Sequence, residues 1–518
     1  MADRSTDRKS DLLSKINLLT ATGSDIQTLL TNGDVRSTEL VELYLDHIEK
    51  HNHNGLKLNA MIATTPRETL LRLASLLDEE RANGTVRSKL HGIPITDNIM
   101  TGLDLGMPTT VGSYALEKAI ARQSAPIVQR LIKAGAIVIG KANLSEMTGW
   151  KACGITTGWS ALGGQTQSLY IIGGFKDGEK LLGHSAPGGS SSGSAAGVAA
   201  GFAPMALATE TDGSIVQPAN RAALYGLKAT VGLLPTEGTA PWSSLTDSVG
   251  GMAKSSEDLA ILMQGLSGID YSENLTRSWT GLRVGFVDPA FWYFSPVICD
   301  PDEDLIRQQR LEMAAAMAKI EELGGTVKQP VPLTSMDELM LDGDDALEQL
   351  WNHDFGKEWN KFLQGYESKD VETLKDIIRF NAEHREKALP PRYSGQNLLE
   401  DAVDETKKIS DEKYVEGVDL IRKAARTSGI DKTLTEYDLD VIMGPMDGRI
   451  PTIAAAAGYP VGTVPLGYSV SNGRPFGMCI VAGAGKEGRI LQAMSAWDAT
   501  MGERKPPPQM LVNTTKIE

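Results

Sequence analysis

Residues 187–230, PGGSSSGSAAGVAAGFAPMALATETDGSIVQPANRAALYGLKAT, constrain the fold of this chain more than any other stretch. Three consecutive serines, Ser190, Ser191 and Ser192, stand between Gly188-Gly189 and Gly193. A run of small residues follows over 195–206, and then Thr-Glu-Thr-Asp-Gly-Ser-Ile, whose last hydroxyl is Ser214. Glycines around a serine let backbone N–H groups converge beside its hydroxyl. Acyl transfer needs such fixed donors about 3 Å from the developing oxyanion. A Gly/Ser linker would run on into polar low-complexity sequence. Here the serines lead into a tightly apolar segment, which suits a helix whose backbone lies close against a sheet.

The stretch resembles, without a break, the signature of the amidase signature family, the serine hydrolases that use a Ser–cis-Ser–Lys triad. The resemblance extends over roughly residues 25–508 and is to fungal-type, acetamidase-like members. It implies an α/β amidase signature fold, a large mixed, mostly parallel sheet covered by helices on both faces. It implies Ser214 as the nucleophile that accepts the acyl group, and Ser190 as the bridging serine whose preceding peptide is cis. It implies an oxyanion hole built from the backbone amides of Thr211, Asp212, Gly213 and Ser214, with no cofactor. The substrate is then a small-molecule amide or ester.

The family's third catalytic residue is a lysine that falls just before Asp-Asn in the pattern Gly-Ile-Pro, three mostly apolar residues, Lys-Asp-Asn-Ile. This chain reads Gly92-Ile-Pro-Ile-Thr96-Asp97-Asn98-Ile99, so two residues are missing and Thr96 stands in the lysine's place. A two-residue deletion in a strand keeps every side chain on its original face. The strand therefore survives while the base is lost. A serine hydroxyl is a weak nucleophile unless a neighbouring base takes its proton, and a threonine hydroxyl cannot do so near neutral pH. Alternation points the adjacent Asp97 away from the site. Lys141 and Lys228 occupy positions where the resemblance places structural lysines, and either is a weak candidate for a substitute base. Ala229, Gly251 and Lys254 are smaller departures from the family pattern, the last replacing an arginine and its bidentate fork.

Around this signature the chain reads as β-α-β sequence. Ser37 precedes apolar residues at 40, 41, 44, 45 and 48, an amphipathic helix with a serine cap. Thr65-Pro66-Arg67-Glu68 predicts a capping box opening a helix to about Arg81. The segment 89–95 reads as a buried strand, 126–134 as a short helix and 136–139 as the next strand, hence parallel pairing. A further strand is expected over 281–287, charged amphipathic helices over 304–323 and 347–362, and core strands over 439–445, 462–468 and 476–482. Asn472-Gly473 marks the last two as a hairpin. The divisions expected are a helical cover at 1–84, core at 85–290, a mostly helical insertion at 291–435 that selects substrate, and core again at 436–518.

The net charge of −15 argues against nucleic acid or an anionic membrane surface as partner. The polar start MADRSTDRKSDLLSK has no apolar core for a leader. The apolar stretch 197–208 is too short and too rich in Ala and Gly to span a bilayer. A cytoplasmic protein is expected, with a homodimer through the first helices as one arrangement. Cys153, Cys299 and Cys479 are odd in number and far apart, so they read as buried small hydrophobes. No Cys/His cluster suggests a metal, and His184 reads as a surface-loop residue. Three functions follow: an amidase-type hydrolase weakened by Thr96; a repurposed enzyme using the same pocket for cyclisation, rearrangement or acyl transfer; and a catalytically dead ligand-binding protein.

Overall fold

The computed structural model describes residues 12, 14–171 and 173–512, so most of the polar N-terminal stretch read above lies outside the described residues. Its centre is an 11-stranded mixed sheet. The strands are β1 (Met61–Thr64), β2 (Pro94–Asp97), β3 (Ile137–Ala142), β4 (Met205–Glu210), β5 (Tyr225–Lys228) and β6 (Ser248–Ala253). They continue with β7 (Arg283–Phe286), β8 (Thr326–Lys328), β9 (Val441–Pro445), β10 (Val461–Tyr468) and β11 (Pro475–Val481). The spatial order is β1-β3-β2-β4-β6-β5-β10-β11-β9-β7-β8. Parallel pairing joins β3, β2 and β4 on one side and β9, β7 and β8 on the other. The strands between them pair antiparallel.

The helices that matter for the site are α1 (Gly23–Asn32), α2 (Ser37–His51), α3 (Arg67–Ala82), α4 (Pro126–Lys133), α5 (Ser192–Ala200) and α6 (Val216–Arg221). After them come α7 (Ser256–Ser267), α8 (Glu303–Glu322), α9 (Ala346–Leu363), α10 (Asp411–Arg422), α11 (Ile450–Ala457) and α12 (Glu487–Thr500). Proline at the first position of α4 presets its φ, and α4 carries the chain from β2 to β3. The last two core strands form the expected hairpin, with Gly473 at φ +79° in its turn.

Three local expectations shift. The strand expected over 89–95 starts only at Pro94, because Gly92 takes φ +83° and residues 88–93 close turns instead. Ser37 is the first residue of α2 and not its cap. Its amide and that of Thr38 are taken by the Asp78 carboxylate at 2.7 and 3.1 Å, so the neighbouring helix α3 supplies the acceptor. Thr65 does not cap α3: its hydroxyl donates to the Val138 carbonyl at 2.8 Å, and Pro66 precedes the helix with no side-chain cap. The cysteines also diverge, since only Cys479 is buried, Cys299 being half-buried and Cys153 exposed.

Behind the site a buried ion cluster locks the sheet to two helices. Asp447, just after β9, accepts from both terminal nitrogens of Arg474 at 3.0 and 2.8 Å. Gln309 of α8 donates to it at 2.8 Å, and Arg221 of α6 lies 3.5 Å away. Burial would raise this carboxyl, but the Arg474 and Arg221 guanidiniums and the hydrogen bonds outweigh it and hold it well below the usual carboxylate range. A depressed folded value adds stability above the unfolded value near ~3.9 and loses it as pH falls through the folded one. Removing one partner of a buried pair strands the other, at about 3–5 kcal/mol. Asp447→Ala is therefore expected to lower unfolding free energy by about that amount in urea at pH 7, with a smaller deficit at pH 3.

Among the described residues no helix is long and apolar enough to cross a membrane. Nor does any group of three or more His, Cys, Asp or Glu there fit a metal ion.

Candidate active site

The serine run sits where the Gly/Ala content allows the closest approach. All nine residues of α5 are buried. A Cβ on Gly193 would lie 2.3 Å from the Ala60 carbonyl oxygen and 2.4 Å from Asn143 backbone atoms, so only glycine fits there. The peptide between Gly189 and Ser190 is cis. The Ser190 carbonyl accepts from the Ser145 and Ser192 amides at 2.9 and 2.8 Å. The Ser191 amide donates to the Ser214 carbonyl at 3.1 Å, which ties the serine run to the second Gly-Ser pair.

Ser214 lies in the tight turn between β4 and α6, where Gly213 takes φ +76°. Glu210, the last residue of β4, holds this turn: its Oε2 accepts the Ile215 and Val216 amides at 2.7 and 3.0 Å, where an acidic group suits a helix N-terminus. The other side is held by Thr452 of α11, whose hydroxyl donates to Asp212 at 2.8 Å. With these supports, the amides of Asp212, Gly213 and Ser214 donate to no protein acceptor among the described residues. They are the donors a developing oxyanion needs.

Ser190 and Ser214 line one cavity of about 10 Å³ with Thr148, Thr209, Thr239 and Asp247, among others. Thr211 and Glu210 complete its floor. Both serines are buried, at 6% and 7% exposure. Neither hydroxyl has a hydrogen-bond partner among the described residues, a looseness common before substrate binds. Aromatic packing closes the region. The Trp242 indole donates to the Thr148 hydroxyl at 2.6 Å, and its ring meets Trp150 and Trp351 at 4.7 and 5.3 Å. Trp351 belongs to α9, so the helix expected over 347–362 packs its apolar face against Trp242, which bonds the cavity-lining Thr148.

Thr96 is fully buried between β3 and β4, and its hydroxyl has no partner. It does not line the serine cavity. The pairing jumps at this point: Ile95 faces Val138, but Thr96 faces Gly140, so Ile139 is skipped. Asp97 does not line the serine cavity and accepts the Lys141 ammonium at 2.6 Å. Burial pushes Lys141 down and Asp97 up, against their mutual attraction. Lys228 is buried with no hydrogen-bond partner for its ammonium. Burial lowers it to about 8, with Glu210 opposing. Lys254 donates to the Leu18 and Ala21 carbonyls at 2.5 and 3.0 Å, fastening the chain ahead of α1. His184 is half-buried and bonds the Asp300 carbonyl at 2.8 Å, away from the cavity.

Glu210 and Asp247 are the residues that sequence reasoning passed over. The signal available was Asp247 in Ser-Leu-Thr-Asp-Ser, a carboxylate amid hydroxyls with no local partner to explain it.

The Amidase family model matches residues 39–491. A protein of Schizosaccharomyces pombe named as an amidase is 31% identical over 95% of this chain and 87% of its own length. The mandelamide hydrolase of Pseudomonas putida is 28% identical over 97% of this chain and 96% of its own. Among solved structures, the native peptide amidase of Stenotrophomonas maltophilia superposes with a TM-score of 0.81 at 31% identity, covering 94% of this chain and 98% of that one.

Proposed function

The chain belongs to the Amidase family of C–N hydrolases, and we propose that it cleaves a small-molecule amide or ester by acyl transfer to Ser214. The observation that carries the reading is the shared cavity: Ser190 and Ser214 face it together, beside a turn whose amides have no protein acceptor. Ser214 Oγ attacks the carbonyl carbon, and the amides of Thr211, Asp212, Gly213 and Ser214 receive the negative charge on the carbonyl oxygen. Ser190 relays the Ser214 proton, giving up its own as it takes that one, and the same path later delivers a proton to the departing nitrogen or oxygen. Water then repeats the sequence on the acyl-enzyme.

With Thr96 in the lysine's place, hydrolysis is expected to be slower than a complete triad would give, since general-base catalysis contributes about 10²–10⁴-fold. The same feature favours the second reading, a repurposed enzyme whose reaction needs no lysine. A cavity of about 10 Å³ holds no more than a water-sized group, so the body of the substrate lies outside it. A separate groove of about 1110 Å³, lined by Trp292, Val331 and Leu333 together with Asp345, Glu348 and Arg449, is the place we assign to it. Arg449 lies one turn before Thr452, which bonds Asp212.

A panel of aryl amides and esters, followed by amine or alcohol release, tests the reading. Turnover of apolar members is the expected result. Complete inactivity of folded protein toward the whole panel would overturn it in favour of a repurposed or binding role.

A further inference from the structure

With Thr96 unable to act as a base, the proton that leaves Ser214 needs another destination, and the following rests on the reading of Ser214 as nucleophile. Two carboxyl groups line the serine cavity, Glu210 and Asp247. Glu210 is committed to the Ile215 and Val216 amides and holds the Ser214 turn. Asp247 is placed differently. Its Oδ1 accepts the Thr211 hydroxyl at 2.5 Å, and its Oδ2 accepts the Trp242 and Ser243 amides at 2.8 and 3.0 Å. A carboxylate offers about four acceptor positions, so these three bonds leave Oδ1 room for one more proton donor. That oxygen is anchored to Thr211, the first residue of the oxyanion turn.

We propose that Asp247 is the general base of this chain, receiving from Ser190 the proton that Ser190 takes from Ser214. In acylation the Ser214 Oγ–carbon bond forms while its proton moves to Ser190 Oγ and the Ser190 proton moves to Asp247. The carbon–nitrogen bond then breaks, and the proton held by Asp247 returns through Ser190 to the departing nitrogen. In deacylation water gives a proton along the same path as its oxygen bonds the acyl carbon; the bond from that carbon to Ser214 Oγ then breaks, and the proton held by Asp247 returns through Ser190 to Ser214 Oγ. No oxidant, reductant or cofactor enters the balance.

The surroundings fit a carboxylate poised near neutrality. From the turn after β4, Thr211 faces it with a hydroxyl, and Glu210, the last residue of β4, shares its cavity. From α9, Glu358 adds repulsion, and Asp354 accepts the Ser243 hydroxyl at 2.5 Å. From α10, the Tyr414 hydroxyl is bound to Asp354 at 2.7 Å. Burial raises Asp247 to about 7, with the three hydrogen bonds opposing. A general base works best near the operating pH.

The test measures kcat and KM against pH for wild type, Asp247→Asn, Asp247→Ala and Glu210→Gln, using the fastest amide or ester of the panel. Wild-type activity should rise with pH through about 7, where Asp247 loses its proton. Asp247→Asn should lose about 10²–10⁴-fold in kcat with little change in KM, and lose the acid limb. Formate, a carboxylate small enough to replace the deleted group, should restore part of the Asp247→Ala rate, an effect that a purely structural role would not produce. If Asp247→Asn does not fold, the formate response of Asp247→Ala and a displaced acid limb in Asp247→Glu decide the matter. An unchanged kcat and acid limb in Asp247→Asn, or loss of the limb in Glu210→Gln alone, overturns the proposal while leaving the hydrolase reading intact. An inactive wild type overturns both.

Discussion

Ser214→Ala is expected to lower kcat toward any substrate of this protein by about 10⁶-fold, the scale seen when the nucleophile of a serine hydrolase is removed. The loss is large because no other hydroxyl occupies the same point of the turn. Ser190 shares the cavity, but it belongs to a different segment, fixed by the Ser145 and Ser192 amides. The turn itself should survive. Glu210 holds the Ile215 and Val216 amides and Thr452 holds Asp212, and neither contact involves the Ser214 hydroxyl. Removing an unpartnered hydroxyl strands no other group. Thermal unfolding of the variant should therefore match wild type, which separates a chemical loss from a folding one. Retention of wild-type kcat by a folded Ser214→Ala would place the chemistry elsewhere.

Restoring the lysine should work in the opposite direction. Two apolar residues inserted after Ile95, together with Thr96→Lys, re-create the family spacing in β2. Placed in the Asp247→Asn background, they are expected to raise amide-hydrolysis kcat by about 10²–10⁴-fold, the contribution of a positioned general base. The sheet can accept the change because it already carries an irregularity there: the β2–β3 pairing skips Ile139 between Ile95 and Thr96. An even insertion keeps Asp97 on its face. The unpartnered Thr96 hydroxyl between β3 and β4 disappears with the exchange. Steady-state kinetics of the folded variant measure the outcome. A folded variant no faster than Asp247→Asn alone would mean that a lysine at this point of β2 does not reach the serines.

The serine run and the Asn-Gly hairpin were legible because each is a local feature. Gly188-Gly189, Gly193 and Gly213-Ser214 mark close backbone approach, and Asn472-Gly473 marks a turn with positive φ. The 3.6-residue pattern likewise located α2, α8 and α9 to within a few residues. What failed was information carried by distant partners. Ser37 looked like a cap because its own acceptor was visible, whereas the acceptor in use belongs to Asp78, 41 positions later. Thr65 was drawn away from α3 by the Val138 carbonyl in the sheet. Asp247 was missed for the same reason: its role arises from Thr211, 36 positions earlier, and from the cavity it shares with Ser190. The aromatic wall escaped notice because Trp150, Trp242 and Trp351 come from three separate segments.

Ser214 is expected to be a live nucleophile in a chain that lacks the lysine. Intact mass spectrometry after treatment with a small fluorophosphonate tests it most directly, because the probe reports the reactive oxygen without requiring the natural substrate. The expected result is one phosphonyl adduct on wild type, mapped to the peptide carrying Ser214, and none on Ser214→Ala. An unlabelled wild type, or an adduct that persists on Ser214→Ala, would contradict it.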